Sequence, residues 1–180
     1  LEFVLVDVDL TGTDAKQDTV VGFAALPLID GRFRLDDLHY CRFPDPLSIA
    51  AGHKPPIDAE YRKILDLLTG RTVFTLNPRF VGHMLAQSAA RLQWPAPPKN
   101  WRDLSAAARV IGNDQIVLTD SAYWQDKMKT GGRQEHDAVY DVFAMAQLLQ
   151  ALLAYAEAMG IDSMAALLRN QNAETWLRPY

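Results

Sequence analysis

The stretch Phe3-Val4-Leu5-Val6-Asp7-Val8-Asp9-Leu10-Thr11-Gly12 decides the reading of this chain. It begins as a strand, alternating and rich in β-branched residues, and it closes on two carboxylates one residue apart. A strand that ends in acids is costly unless a cation, a basic partner or water compensates them, because desolvated like charges repel and shift one another's pKa. Far downstream, His136 and Asp141 open the most apolar helix in the chain. The two segments together have the residue types of a divided metal site.

The 180 residues contain no Ser/Gly-rich or charge-block linker and are read as a single domain, 1–180, long enough to bury roughly 70% of the unfolded surface. A net charge of −4 leaves no broad electrostatic footprint for wrapping duplex nucleic acid, which confines any such contact to a local cleft. The lone Cys41 forms no internal disulfide and suits a reducing compartment such as the cytoplasm. The nearly apolar run from Val20 to Ile29 contains Gly22 and Pro27 and falls short of the ~20 residues that span a bilayer, so no membrane association is expected. A start at Leu1 rather than Met is compatible with excision from a longer chain, and so with a fusion or protein partner.

Working outward from the first strand, Thr19 to Leu28 repeats its character, and Asp30-Gly31 turns the chain into a third run, Arg32 to Leu35. Three strands without intervening helices predict an antiparallel meander. After an irregular connection marked by Pro44, Pro46, Pro55 and Pro56, a helix is expected over Ile57 to Leu68 and a fourth strand over Arg71 to Leu76. A helix follows from Arg79 to Leu92, stopped by Pro95-Ala96-Pro97-Pro98. Trp101 to Ile111 and Thr119 to Lys129 read as shorter helices, Gly131-Gly132 as a loop, Asp137 to Ala158 as the last long helix, and Asp162 to Arg169 as a short capped one. The class is therefore α/β: a meander plus parallel strands, flanked by helices.

Between Ala138 and Ala156 only Asp141, Gln147 and Gln150 are strongly polar, so most of that helix must be buried and Asp141 is an acid entering the core. A first-turn dipole role for Asp137 and Asp141 is the plain structural account. The alternative joins Asp141 to Asp7 and Asp9, since Mg²⁺ is held by a few carboxylates from distant elements together with phosphate oxygens.

The ordered set of motifs resembles the DEDDh 3′–5′ exonucleases of the polymerase-proofreading and RNase T kind, over residues 3–157, with 158–180 as a C-terminal helical extension. Their first motif, Asp-x-Glu-x-Thr-Gly, is matched by Asp7-Val8-Asp9-Leu10-Thr11-Gly12; their second, His-Asn-x-x-Phe-Asp, by Leu76-Asn77-Pro78-Arg79-Phe80-Val81; their third, His-x-x-x-x-Asp, by His136 to Asp141. Trp101-Arg102-Asp103-Leu104 resembles the segment between the second and third. Two positions depart. Asp9 stands for Glu, one methylene shorter, and Val81 stands for the second-motif Asp, so a carboxylate that supports the second metal is missing.

The resemblance implies a ribonuclease H-like fold and hydrolysis at a nucleic-acid 3′ end, single-stranded DNA or RNA, with two Mg²⁺ or Mn²⁺ ions in a fully active site. It implies that Asp7, Asp9 and Asp141 are metal ligands and that His136 is the general base, an imidazole titrating near neutrality. Thr11 and Gly12 would lie beside the terminal nucleotide, while Asn77 and Phe80 would shape the cleft, or serve only strand-end polarity and packing. Lys127, Lys129 and Arg133 around Gly131-Gly132 are placed to meet a phosphate backbone, or form a solvated charge run. Tyr123 and Trp124 either stack a base or anchor their helix.

Two rivals stand beside this reading. Val81 favours an exonuclease-like module that binds without cutting. Asp7-Val8-Asp9-Leu10-Thr11 also resembles the Asp-x-Asp-x-Thr nucleophile motif of haloacid-dehalogenase-type phosphatases, with Thr75 as their second motif, but no apolar strand precedes Asp137 and an early meander disagrees with that alternating fold.

Overall fold

In the computed structural model, which describes residues 2–12, 14–45, 54–99, 101–107, 137–158 and 160, the first strand β1 runs over Glu2–Leu10. Phe3 to Val6 are buried on both faces of β1, because helices cover both sides of the sheet. Side chains alternate across a strand: Phe3 and Leu5 enter one apolar cluster, Val4, Val6 and Val8 the other. Asp7 and Asp9 therefore belong to the Phe3/Leu5 face.

β2 (Val20–Ile29) pairs antiparallel with β1, placing Asp7 opposite Ala24 and Asp9 opposite Gly22. β3 (His39–Arg42) pairs antiparallel with β2, with Tyr40 opposite Ala24 and Arg42 opposite Gly22. β4 (Thr72–Thr75) and β5 (Trp101–Asp103) join in parallel on the other side, giving the order β3-β2-β1-β4-β5. This is the mixed sheet, meander plus parallel strands, that the sequence predicts.

Two expected elements differ. Asp30 and Gly31 do turn the chain with positive φ, 48° and 73°, but the third strand is His39–Arg42, not Arg32 to Leu35. Only Arg32 keeps a bridge to Ile29, and Leu35–Asp37 forms a single 3-10 turn. Phe33 leaves the hairpin to pack edge-on against Phe143, ring centroids 5.0 Å apart, which draws this segment over the sheet face. Likewise Trp101–Asp103, expected as the start of a helix, pairs with Val73 to Thr75; helix begins at residue 104, where Asp103 Oδ1 accepts from the Ser105 backbone N–H at 2.9 Å and from its hydroxyl at 2.6 Å. The expected elements at Thr119 to Lys129, Gly131-Gly132 and Asp162 to Arg169 lie outside the described residues.

On one face lie α1 (Ala59–Leu68), capped by Asp58, and α2 (Pro78–Leu92), capped by Asn77 with Pro78 at its first position. Tyr61, Phe23, Phe43 and Trp94 form the aromatic heart of that layer, with the Tyr61 hydroxyl donating to the Pro95 carbonyl at 2.7 Å. Cys41 is buried there, and burial, with Asp58 nearby, pushes its thiol up to about 12, so it is an inert core residue. On the other face α3 (Ala138–Ala158) lies along β1 and β2 through Ala138, Val142, Met145, Ala146, Leu149, Leu152 and Ala156. α3 is long and apolar enough to cross a bilayer by length and composition; here only one apolar stripe is buried as the second half of the core, and, against the expectation that most of the helix is buried, Tyr140, Gln147, Ala151 and Ala154 are exposed. Leu149 is fully buried and Gln147 exposed. Leu149→Ala is expected to cost about 2–5 kcal/mol in thermal or denaturant unfolding, and Gln147→Ala under about 0.5 kcal/mol.

Candidate metal centre

The C-terminal end of β1 and the first turn of α3 meet at one edge of the sheet. Asp7, partly buried, and Asp141, three residues into α3, bring their carboxyls into hydrogen-bond contact. Two carboxylates cannot share such a contact unless a proton or a cation lies between them. Burial first, then the negative charge of Asp141 and more weakly that of Asp9, hold the Asp7 carboxyl well above the usual carboxylate range. Two acids that are 134 positions apart in the chain by subtraction, 141 less 7, are thus one electrostatic unit.

Asp9, two residues on, is engaged at both oxygens. Its Oδ1 accepts the Ala138 backbone N–H at 2.7 Å and its Oδ2 accepts the Tyr40 hydroxyl at 2.9 Å. Asp137 Oδ1 accepts from the N–H groups of Val139 and Tyr140 at 3.1 and 3.2 Å, and the Asp141 N–H reaches the Asp137 carbonyl at 2.9 Å. The N–H groups that open α3 are therefore satisfied by carboxylates, and the positive end of the helix dipole faces the acids. The cap role falls to Asp137 and, across the fold, to Asp9; Asp141 instead turns to Asp7. Burial and the bond to Asp9 push the Tyr40 hydroxyl up to about 12, so it stays protonated and donates.

The remaining expected residues divide by position. The Thr11 hydroxyl donates to Asp18 Oδ1 at 2.8 Å and accepts the Thr19 N–H at 3.0 Å, closing the β1–β2 loop. Gly12 lies against the Asp18 carboxylate, where a Cβ would come within 2.6 Å of Oδ2. Asn77 is the α2 cap, at φ 53° with Oδ1 accepting from Phe80 N–H at 3.4 Å. Phe80 packs against the α1–α2 cluster, and Val81 is buried in it, 4% exposed. Position 81 thus serves the core of the opposite layer. His136 and Arg133 lie outside the described residues.

Among the described residues no group of three His, Cys, Asp or Glu side chains closes tightly enough to enclose a metal ion. Asp7 and Asp141 supply the all-oxygen pair that a hard divalent cation takes, and a cation would relieve their repulsion. Asp9 is adjacent, with lone pairs left beyond its two accepted bonds. Sequence reading passed over Tyr40, and over Gly22 as anything but an interruption. A glycine inside a strand signals close approach of another group, and that was the available cue.

No protein-family model matches the sequence, and no curated protein matches it. Solved structures do. Exonuclease I of Methylocaldum szegediense is similar at 16% identity and TM-score 0.55, over 83% of this chain and 39% of that one. The fold is of the exonuclease I kind. E. coli exonuclease I in complex with a dT13 oligonucleotide aligns at 17% identity and TM-score 0.55, over 88% of this chain and 42% of that one. An ExoI/SSB-Ct complex aligns at 17% and 0.52, over 87% and 41%. This chain spans about two-fifths of each of these proteins, and the shared part is the ribonuclease H-like mixed sheet with its helices.

The Asp7–Asp141 contact has a measurable consequence. An acid whose folded pKa is raised binds its proton more tightly when folded, so metal-free stability falls as pH rises from the unfolded value of 3.8 through the folded one. In chelator, Asp7→Asn is expected to raise the unfolding midpoint at pH 7, and that gain should vanish as the pH approaches 4. Equal midpoints at pH 7 would contradict the contact.

Proposed function

We propose that this chain is a metal-dependent 3′–5′ exonuclease domain acting on single-stranded nucleic-acid ends, slowed by the absence of a second-motif acid. The observation that carries the proposal is the meeting of Asp7 and Asp141 at the C-terminal end of the central parallel strands, the edge at which open α/β sheets bind ligands. The exonuclease I fold supports it, and the dT13 oligonucleotide bound by the E. coli protein supports a single-stranded substrate.

Asp7 and Asp141 would hold a Mg²⁺ or Mn²⁺ ion, with Asp9 completing the set. A divalent cation there would supply positive charge to a phosphodiester and lower the pKa of water. His136, five residues before Asp141, is the proposed general base for the attacking water. Arg133 is proposed to meet the backbone phosphate. The loop closed by Thr11 and Asp18 keeps the backbone at Gly12 beside the strand end, where a terminal nucleotide would lie. Val81 contributes packing, so a second ion would lack its carboxylate, and turnover is expected to be slow.

A binding module that does not cut is the second reading, favoured by buried Val81 and by the engagement of both Asp9 oxygens. The phosphatase reading loses its basis in the antiparallel pairing of β1 with β2. The test uses 5′-labelled DNA and RNA oligonucleotides with Mg²⁺ or Mn²⁺. A ladder shortened from the 3′ end is expected, absent in chelator, and Asp7→Ala should reduce it at least ~100-fold, a loss of about 3 kcal/mol of transition-state stabilisation. Retained binding without shortening under either metal favours the module. Phosphate release from small monoesters, with oligonucleotides untouched, would reject both.

A further inference from the structure

The acids at the end of β1 are approached from a strand that no motif includes. Tyr40 sits on β3, in the row Asp7–Ala24–Tyr40, whereas Asp9 belongs to the next row, Asp9–Gly22–Arg42. To reach Asp9 the Tyr40 side chain must cross the place where residue 22 would project. Gly22 leaves that place vacant: a Cβ there would run into the Tyr40 hydroxyl oxygen and stand 2.8 Å from its Cζ and 2.5 Å from Asp9 Oδ2. Contacts under 3.0 Å are ones that real Cβ atoms essentially never make, so any side chain at 22 displaces the pair.

The bond so made belongs to a chain of three. Tyr40 holds Oδ2 of Asp9 at 2.9 Å, Oδ1 of Asp9 holds the Ala138 N–H at 2.7 Å, and Ala138 begins the helix that carries Asp141 to Asp7. β3, β1 and α3 are pinned through one carboxylate whose plane two hydrogen bonds define. Tyr40 is 39% exposed, so removing its hydroxyl leaves the apolar layers on either face as they are. An outer partner that orients a ligand in this way is a recurring part of metal sites.

We infer that Tyr40, reaching across Gly22, is a positioning residue that fixes Asp9 and, through the Ala138 N–H it accepts, the start of the helix that brings Asp141 beside Asp7 to hold the cation. This rests on the metal reading of that site, and the experiment separates the two. Mn²⁺ binding to the whole chain is measured by calorimetry for the unaltered protein, Tyr40→Phe, Gly22→Ala, the double variant and Asp7→Asn, with unfolding midpoints and the Ala138 amide resonance recorded in chelator.

Tyr40→Phe is expected to shift the Ala138 resonance, leave the midpoint within about 2 °C and weaken Mn²⁺ about 10-fold, the lower end of the 10–100-fold range for outer-shell partners. Gly22→Ala should give a similar loss, and the double variant no more than either single one. Unchanged or tighter Mn²⁺ binding in Tyr40→Phe, with binding abolished in Asp7→Asn, overturns the Tyr40 assignment and leaves the metal reading standing. A loss in Tyr40→Phe that comes with a collapsed midpoint also overturns it, in favour of a fold role. If the unaltered protein and Asp7→Asn bind Mn²⁺ equally poorly, the metal reading itself fails and takes this one with it.

Discussion

Two carboxyls drawn from opposite ends of the chain touch at the end of β1, and that repulsion organises what surrounds it. Asp7 cannot retreat, because the strand that carries it is locked between β2 and β4 and buried on both faces. Asp141 cannot retreat either, because the apolar stripe of α3 that begins at Ala138 and Val142 seats the helix on the same sheet face. Burial of roughly a dozen apolar side chains, each stabilising by about 1.5–3 kcal/mol, holds the acids together against a charge that would separate them in water. Such an arrangement is what a protein selected for stability alone avoids.

The opening of α3 makes this tolerable. Asp9 and Asp137 take up the N–H groups at its start, so the helix presents its positive end to the cluster. Asp9 is the shorter acid at a position where the resembled motif has Glu, and with the shorter arm its carboxylate lies against the Ala138 amide rather than beyond it. One residue thereby joins an inter-element cap to the acid cluster. Tyr40 completes it only because Gly22 has no side chain.

The two faces of the sheet are otherwise unequal. The α1–α2 layer is aromatic and closed, with Tyr61, Trp94 and Phe43 in mutual contact, and Val81 belongs to it. A carboxylate at 81 would be placed among Val8, Met84 and Leu85, which accounts for a valine as a packing residue there. The α3 layer mixes small and aliphatic residues with the edge-on pairs Phe3–Phe74 and Phe33–Phe143, and it is the one that meets the acids.

Local sequence determined the strands β1 and β2, their hairpin sense, the helices α1 and α2 and the apolar stripe of α3, because period and turn chemistry act over a few positions. It also singled out Asp7, Asp9 and Asp141 as misfits in apolar elements. It misplaced β3 and β5, since His39–Arg42 and Trp101–Asp103 are too short to show a period and become strands only by pairing with neighbours already in the sheet. Only the tertiary structure decided that Asp141 meets Asp7 while Asp9 caps α3, that Tyr40 joins them across Gly22, and that Val81 packs in the opposite layer. Those outcomes depend on strand register and helix docking, and both arise from contacts between residues far apart in the chain, which no local pattern encodes.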